Sequence, residues 1–371
     1  MIYADNAATT KLDVDAFEAM KPFLLENYGN ASQPYAFARI CKQCLAEARA
    51  TIANCINAEP SEIYFTSGGT ESDNWAIKSA AFSGGKSQVI ITSAFEHHAI
   101  LNACASVEHM GYPVAYVFPN RDGIVQLQSL QRIITDRTGL VSVMLVNNEL
   151  GTIQPIKELC GIAHDHGALF HTDAVQAVGH IPIDVKELGI DMLSASAHKF
   201  NGPKGVGFLY IRKEVKLPPL LNGGNQEHSK RAGTENIAGI VAMAIALKKN
   251  CSNLPNNVLK IQSMENRLLA GLSAKGLRYV RNGLNNAPGI INLSFPGFDG
   301  EAILHRLDLR GICVSTGSAC DSTNTEISHV LRAIELDEQC AHGAIRISLG
   351  INNTPDEVDT IVSELSKIIS Q

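Results

Sequence analysis

Hydrophobic positions along the chain follow two patterns that alternate. Short apolar runs, with little polar alternation, fall at Ile63–Thr66, Gln88–Thr92, Val114–Val117, Leu140–Val146, Ala168–His171, Asp191–Ala195 and Val206–Ile211. Runs of this length predict strands buried on both faces of a mainly parallel sheet. Segments of helical period lie between them. In 155–166, Ile156, Leu159, Cys160 and Ala163 share one face, Pro155 suits the first helical position and Gly167 suits the stop. This strand–helix–strand rhythm over roughly residues 55–215 predicts a three-layer α/β/α domain.

The rhythm breaks at Cys251–Val258, a stretch rich in turn formers that reads as a hinge or boundary. A helix starting near Val258 is expected to lead into a second, smaller domain. The last helix is plain: Thr354-Pro355-Asp356-Glu357 is a capping box with Pro at its first position, and Val358, Ile361, Val362, Leu365, Ile368 and Ile369 form one stripe.

Composition narrows the function classes. The chain has 371 residues, about two domains' worth. Its 45% hydrophobic and 18% charged content exclude a disordered chain. A net charge of −6 points to neither nucleic acid nor an anionic membrane. No apolar run reaches the roughly 20 residues that span a bilayer. The start, Met1-Ile2-Tyr3-Ala4-Asp5, lacks the features of a signal peptide. Nine scattered cysteines read as reduced thiols, so a cytoplasmic location is expected.

Candidate chemistry clusters after the predicted strands. Lys199, in Ser196-Ala197-His198-Lys199, sits between two apolar runs among small residues. That setting suits a partly desolvated amine able to form a Schiff base. Asp173 ends another apolar run; it is either a helix N-cap or a carboxylate awaiting a cation, and a protonated pyridine nitrogen is such a cation. One helix and one strand separate Asp173 from Lys199, a spacing that places both at one sheet edge. Thr66-Ser67-Gly68-Gly69-Thr70-Glu71-Ser72 reads as a strand–turn–helix whose free N–H groups make an anion site, or as an ordinary turn. It is neither a nucleotide P-loop nor a dinucleotide fingerprint. His97 and Asn147 also follow strand ends. Arg346, between apolar neighbours, calls for a substrate carboxylate or a structural ion pair. Cys320 lies in a small polar segment suited to a thiol nucleophile. His164, His166 and His171 allow a metal site but suit helix-end and core positions, so no metal is expected. Cys41 and Cys44 read as helix residues.

These motifs, in this order, resemble the NifS/IscS-type cysteine desulfurases, in the class V aminotransferase group of pyridoxal-phosphate enzymes. The resemblance runs from Tyr3-Ala4-Asp5-Asn6-Ala7-Ala8-Thr9-Thr10 to Ile345-Arg346-Ile347-Ser348-Leu349-Gly350. It takes in Thr66–Asn74, Val146-Asn147-Asn148-Glu149-Leu150-Gly151, Asp173-Ala174-Val175-Gln176, Ser196–Lys199, Arg231-Ala232-Gly233-Thr234 and Ser315-Thr316-Gly317-Ser318-Ala319-Cys320. It implies the fold type I of pyridoxal-phosphate enzymes: a large domain at 13–255, and a smaller α+β domain at 1–12 and 256–371 carrying Cys320.

The resemblance also implies roles. Lys199 would hold pyridoxal 5'-phosphate and shuttle the Cα proton. Asp173 would pair with the ring nitrogen. His97 would stack on the ring and assist proton transfer, and Gln176 would bond the ring hydroxyl. Gly69, Thr70, Ser196 and His198 would hold the phosphate. Thr234 would reach the phosphate of a second copy in a homodimer. Asn147 and Arg346 would bind the substrate carboxylate. L-cysteine would become L-alanine, with a persulfide on Cys320 for a protein acceptor in iron–sulfur cluster assembly or another thiolation. An aminotransferase or a selenocysteine lyase of the same group would need Lys199 and Asp173 without an obligatory thiol. The chain departs from its relatives at Gly29-Asn30-Ala31-Ser32-Gln33-Pro34-Tyr35, one residue shorter with Tyr35 near their His. It also departs in ending directly after its last helix, without the docking extension of many of them.

Overall fold

In the computed structural model, which describes residues 1–317 and 327–370, the apolar runs become strands. In chain order these are β1 (Ile2–Tyr3), β2 (Ile63–Thr66), β3 (Val89–Ser93), β4 (Val114–Val117), β5 (Thr138–Ser142), β6 (Leu169–Asp173), β7 (Met192–Ser196), β8 (Gly207–Ile211), β9 (Val280–Asn282), β10 (Ile290–Ser294), β11 (Ile312–Cys313) and β12 (Ala344–Ser348). Seven form one sheet in the order β2-β8-β7-β6-β5-β3-β4. The β3, β4, β5, β6 and β7 pairings are parallel, and β8 runs against both of its neighbours. Six strands thus point the same way, and their carboxyl ends make a single edge.

The unbroken apolar runs are explained by burial on two faces. Along β8, Phe208 and Tyr210 join one core with Phe65, Val141, Phe170 and Leu193, while Leu209 and Ile211 join a second core with Trp75, Ile90, Leu140 and Met192. Alternate side chains serve opposite faces, as the pleat requires. The first core is closed by the helices Arg39–Cys55, Ile156–Asp165 and Ile237–Ser252, the second by Gly69–Gly84 and His98–His109. This is the three-layer α/β/α arrangement.

A third core lies outside those layers. It packs Ile261, Met264, Leu268 and Leu272 of the helix Leu254–Ala274 and Val358, Ile361 and Leu365 of the helix Pro355–Ile369 on β10 and β12. Strands β12-β10-β9 are antiparallel, and β1 pairs with β11. Thr354 and Glu357 close the capping box of the last helix.

Two expectations are corrected. The helix expected to start near Val258 starts earlier: one helix runs to Ser252 and the next begins at Leu254, with Asn253 as the shared cap. The Asn and Pro residues there cap a helix-to-helix junction, with Pro255 in the first turn, where it costs no hydrogen bond. The run Leu140–Val146 is strand only to Ser142. Beyond it the buried chain turns into the pocket described next. No helix among the described residues is long and apolar enough to cross a membrane.

Candidate active site

The carboxyl edge of the large sheet opens on a cavity of about 600 Å³. Ligands in open α/β sheets bind at such an edge. Each strand that reaches it delivers a wall. β2 delivers Ser67–Glu71 and β3 delivers His97. The chain after β5 delivers Met144 and Asn148. β6 delivers Asp173, and β7 delivers Ser196, His198 and Lys199. The N-terminal residues Ala7, Ala8 and Thr9 cross over the opening, and Thr316, Gly317 and Arg346 close the far side.

Lys199 ends a single 3₁₀ turn (Ala197–Lys199) directly after β7. Its Nζ donates to the carbonyls of Ala7 at 2.6 Å and Ala8 at 2.8 Å, which hold the amine at the mouth of the cavity. Asp173 is the last residue of β6 and is buried. Its Oδ1 accepts the Val175 N–H at 2.9 Å. Burial pushes its carboxyl up to about 6, against the pull of that N–H and of the Lys199 charge.

The helix Gly69–Gly84 begins at the cavity with Gly68 as an N-cap that offers no side-chain acceptor. Its first N–H groups therefore face the cavity without intrahelical partners, an anion-binding end. Two glycines are needed here. Gly68 has φ of +151°, and a Cβ on Gly69 would come within 2.6 Å of Val175. Thr70 is exposed in the first turn, and Ser196 lies buried across from Gly68. His198 donates to or accepts from Thr9 Oγ1 at 3.1 Å through Nδ1; burial, then the charges of Lys199 and Lys204, bring its pKa down to about 4.

His97 caps the helix His98–His109, and its Nδ1 accepts the Ala99 N–H at 3.1 Å. Nε2 is the nitrogen left for proton exchange. Burial first, then Lys199 and His98, bring its pKa down to about 4, so the ring is neutral at pH 7. Gln176 is buried beside the cavity and donates to Ala7 O at 2.8 Å. Arg346, on β12, donates to Asp5 Oδ1 at 2.9 Å and to Asn148 O at 2.8 Å while lining the cavity. The ion pair and the pocket position, set as alternatives by the sequence, are both present.

Asn147 is corrected. Its side chain is fully buried and spent on the backbone: it donates to Phe95 O at 3.0 Å and accepts the N–H groups of Glu149 and Leu150 at 2.9 Å. Asn148 lines the cavity instead, with its Oδ1 buried and without a hydrogen-bond partner among the described residues. An Asn-Asn pair carries no signal for which member points inward, because the turn after β5 decides it. Thr234 is exposed and does not line its own chain's cavity; its loop starts at Arg231, which pairs with Glu71 at 2.7 Å. Cys320 lies outside the described residues. The three histidines separate: His164 pairs with Asp191 at 2.8 Å, His166 with Asp136 at 3.0 Å, and His171 is buried between Ser142 and Ser194. Cys41 and Cys44 lie on the helix Arg39–Cys55, where Cys41 donates to Asn27 O. Asp73, which also lines the cavity, gave no sequence signal because it looks like one more polar residue in a helix.

A strand-edge pocket holding a lysine, a buried carboxylate and a helix N-terminus defines a class. The family model for class V aminotransferases matches residues 2–361. The chain is 46% identical to the cysteine desulfurase IscS of Clostridium botulinum (strain Hall), across all of this chain and 94% of that protein. Among solved structures, a NifS-like protein superposes with a TM-score of 0.94 at 37% identity, covering 100% of this chain and 99% of that one. SspA, solved in complex with cysteine, does so with a TM-score of 0.85 at 35% identity, covering 95% of this chain and all of that one. The chain belongs to the class V aminotransferase family and, within it, to the cysteine desulfurases.

Proposed function

We propose that the chain binds pyridoxal 5'-phosphate in this cavity and converts L-cysteine to L-alanine, leaving a persulfide on Cys320. The observation that carries the reading is the joint placement of Lys199 and Asp173 at one sheet edge, opposite an uncapped helix N-terminus.

The residues fit that cofactor at three points. The helix N-terminus at Gly69 and Thr70, with Ser196 and His198, suits a phosphate dianion. The buried carboxylate of Asp173 suits a ring nitrogen that must stay protonated. The Lys199 amine suits a covalent bond to the cofactor's carbonyl carbon. When bound, the cofactor supplies an electron sink that makes the substrate Cα proton acidic.

The chain's own groups do the rest. Asp173 holds the proton on the ring nitrogen through its negative charge. The Lys199 amine, placed at the cavity, would take and return the Cα proton. His97 enters neutral and exchanges a proton through Nε2. Arg346 and Asn148 orient the substrate carboxylate, the role the resemblance gave to Asn147. The Cys320 thiolate attacks the substrate sulfur. The carbon–sulfur bond breaks with its electron pair left on carbon, which takes a proton. In net terms one cysteine and one enzyme thiol give one alanine and one enzyme persulfide. The persulfide then passes to a protein acceptor, as in iron–sulfur cluster assembly.

The exposed Thr234, on a loop tied to the cavity rim through Arg231 and Glu71, supports the reading that it completes the phosphate site of a second copy. The separate third core supports the division into a large unit at 13–255 and a smaller one at 1–12 and 256–371.

The test is spectroscopic. Purified protein given pyridoxal 5'-phosphate should develop a visible band that survives gel filtration. Lys199→Ala should lose the borohydride-fixable label. A label that persists in Lys199→Ala would remove Lys199 from its role.

A further inference from the structure

Behind Asp173 lies a chain of polar groups that the proposed reaction does not use. Asp73, on the first turns of the helix Gly69–Gly84, is 1% exposed, and its Oδ1 has no hydrogen-bond partner among the described residues. Its carboxyl interacts with the Ser194 hydroxyl on β7, a contact that taken alone favours the charged form, while burial and the neighbouring acids oppose it. The Ser194 hydroxyl also meets His171 Nε2 at 2.9 Å, and His171 Nδ1 meets Ser142 Oγ on β5 at 2.9 Å. The series Asp73–Ser194–His171–Ser142 thus crosses a helix and three adjacent strands, buried throughout, starting from Asp73 at the cavity wall.

The groups facing Asp73 decide its state. The basic group within 4 Å of it, among the described residues, is His171 at 3.8 Å. That ring is fully buried and neutral. The other titratable neighbours are acids, Asp173 on β6 and Glu96 after β3. Asp173 is stabilised as an anion by the Val175 N–H and the Lys199 charge, whereas Asp73 has only the Ser194 hydroxyl. Two buried carboxylates side by side do not both ionise, and the one with the poorer partners keeps the proton.

We propose that Asp73 is a positioning residue held as the neutral acid at the head of this series, donating its proton to Ser194 and so leaving the negative charge on Asp173. The series then has one direction. Asp73 donates to Ser194, Ser194 donates to His171 Nε2, and His171 Nδ1–H donates to Ser142. This inference rests on the reading of Asp173 as the partner of the cofactor's ring nitrogen. A second anion at Asp73 would compete for that proton.

Two measurements test it. The first needs no cofactor: the infrared difference spectrum of the cofactor-free protein and its Asp73→Asn variant at pH 7. A carbonyl band of a protonated, buried carboxylic acid, lost in Asp73→Asn and shifted in Ser194→Ala, is expected. Glu96→Gln identifies any band that belongs to Glu96. A carboxylate pair lost in its place would overturn the proposal. The second uses the loaded enzyme. Asn mimics the neutral acid, so Asp73→Asn should leave the pH titration of the bound cofactor's absorbance where it is in the wild type. Asp73→Ala leaves Ser194 and His171 without their donor and should lower kcat about tenfold with KM held. A titration displaced in Asp73→Asn would overturn the proposal. A wild type that binds no cofactor would instead overturn the cofactor reading, with the infrared result still deciding the state of Asp73.

Discussion

At the scale of single residues, burial decides which groups carry charge. Lys199 and Asp173 were legible in the sequence because a polar residue following an apolar run must find a partner: Asp173 closes β6, and Lys199 lies one 3₁₀ turn past β7, at the same edge. Asn148 was not, because the sequence distinguishes the members of an Asn-Asn pair only through the turn that holds them. The two predict different defects. Asn147→Ala strips partners from three buried backbone groups and should destabilise the fold by about 1–3 kcal/mol, measured by urea unfolding. Asn148→Ala should leave stability within about 0.5 kcal/mol and lower kcat/KM about tenfold.

His171 makes a pH prediction at the same scale. Its pKa falls from 6.5 to about 3 through burial. The unfolded chain therefore takes up the proton first as pH falls. The stability His171 contributes is full above about 6.5 and is lost progressively toward 3, at about 1.4 kcal/mol per pH unit. Glu96 acts in the opposite sense, since burial raises its pKa to about 8 and its contribution is lost as pH rises through that value. The two overlap between pH 5 and 6, so the wild type alone does not separate them. The difference in unfolding free energy between wild type and His171→Gln, followed from pH 7 to pH 5, does. It should change by about 1.4 kcal/mol per unit below 6.5.

At the scale of elements, apolar runs located all seven strands of the main sheet to within a few residues, because all but the half-buried edge strand β4 are covered on two faces. Boundaries set by caps were less visible, as at Asn253, where two helices meet. A strained turn was not visible at all. Glu227, His228 and Ser229 adopt φ of 47°, 56° and 63°, three consecutive left-handed residues that are not glycine. Each such residue costs about 1–2 kcal/mol. The compensation is long-range: buried Glu227 accepts from Arg49 at 2.6 and 2.8 Å and from the Phe65 N–H at 2.8 Å. No local pattern announces a pair 178 residues apart. The turn leads into Arg231–Thr234, so this pair supports the loop proposed to reach a second copy. Glu227→Gln leaves Arg49 buried without its anion and should cost about 3–5 kcal/mol, read from chemical unfolding. The same change should weaken dimerisation, read by sedimentation.

At the scale of the whole molecule, the cavity lies where the large sheet's carboxyl edge, the N-terminal crossing and the third core's β12 meet. The sequence showed the layers and the edge, because periodicity reports both. It did not show that Ala7 and Ala8 hold the Lys199 amine, since two small residues near the start signal nothing by themselves. Because all three parts converge on one site, cofactor binding should stabilise the entire chain, by about 2.7 kcal/mol at a hundredfold excess over its Kd.

The central claim is that this pocket and Cys320 together move sulfur from L-cysteine. The direct measurement is alanine and sulfide from the same reaction, with L-cysteine, pyridoxal 5'-phosphate and a reductant, for wild type and Cys320→Ala. Wild type should give equal yields of the two products, and Cys320→Ala neither, while still binding the cofactor. Full turnover by Cys320→Ala, or a cofactor-loaded wild type that forms no sulfide, would contradict that claim.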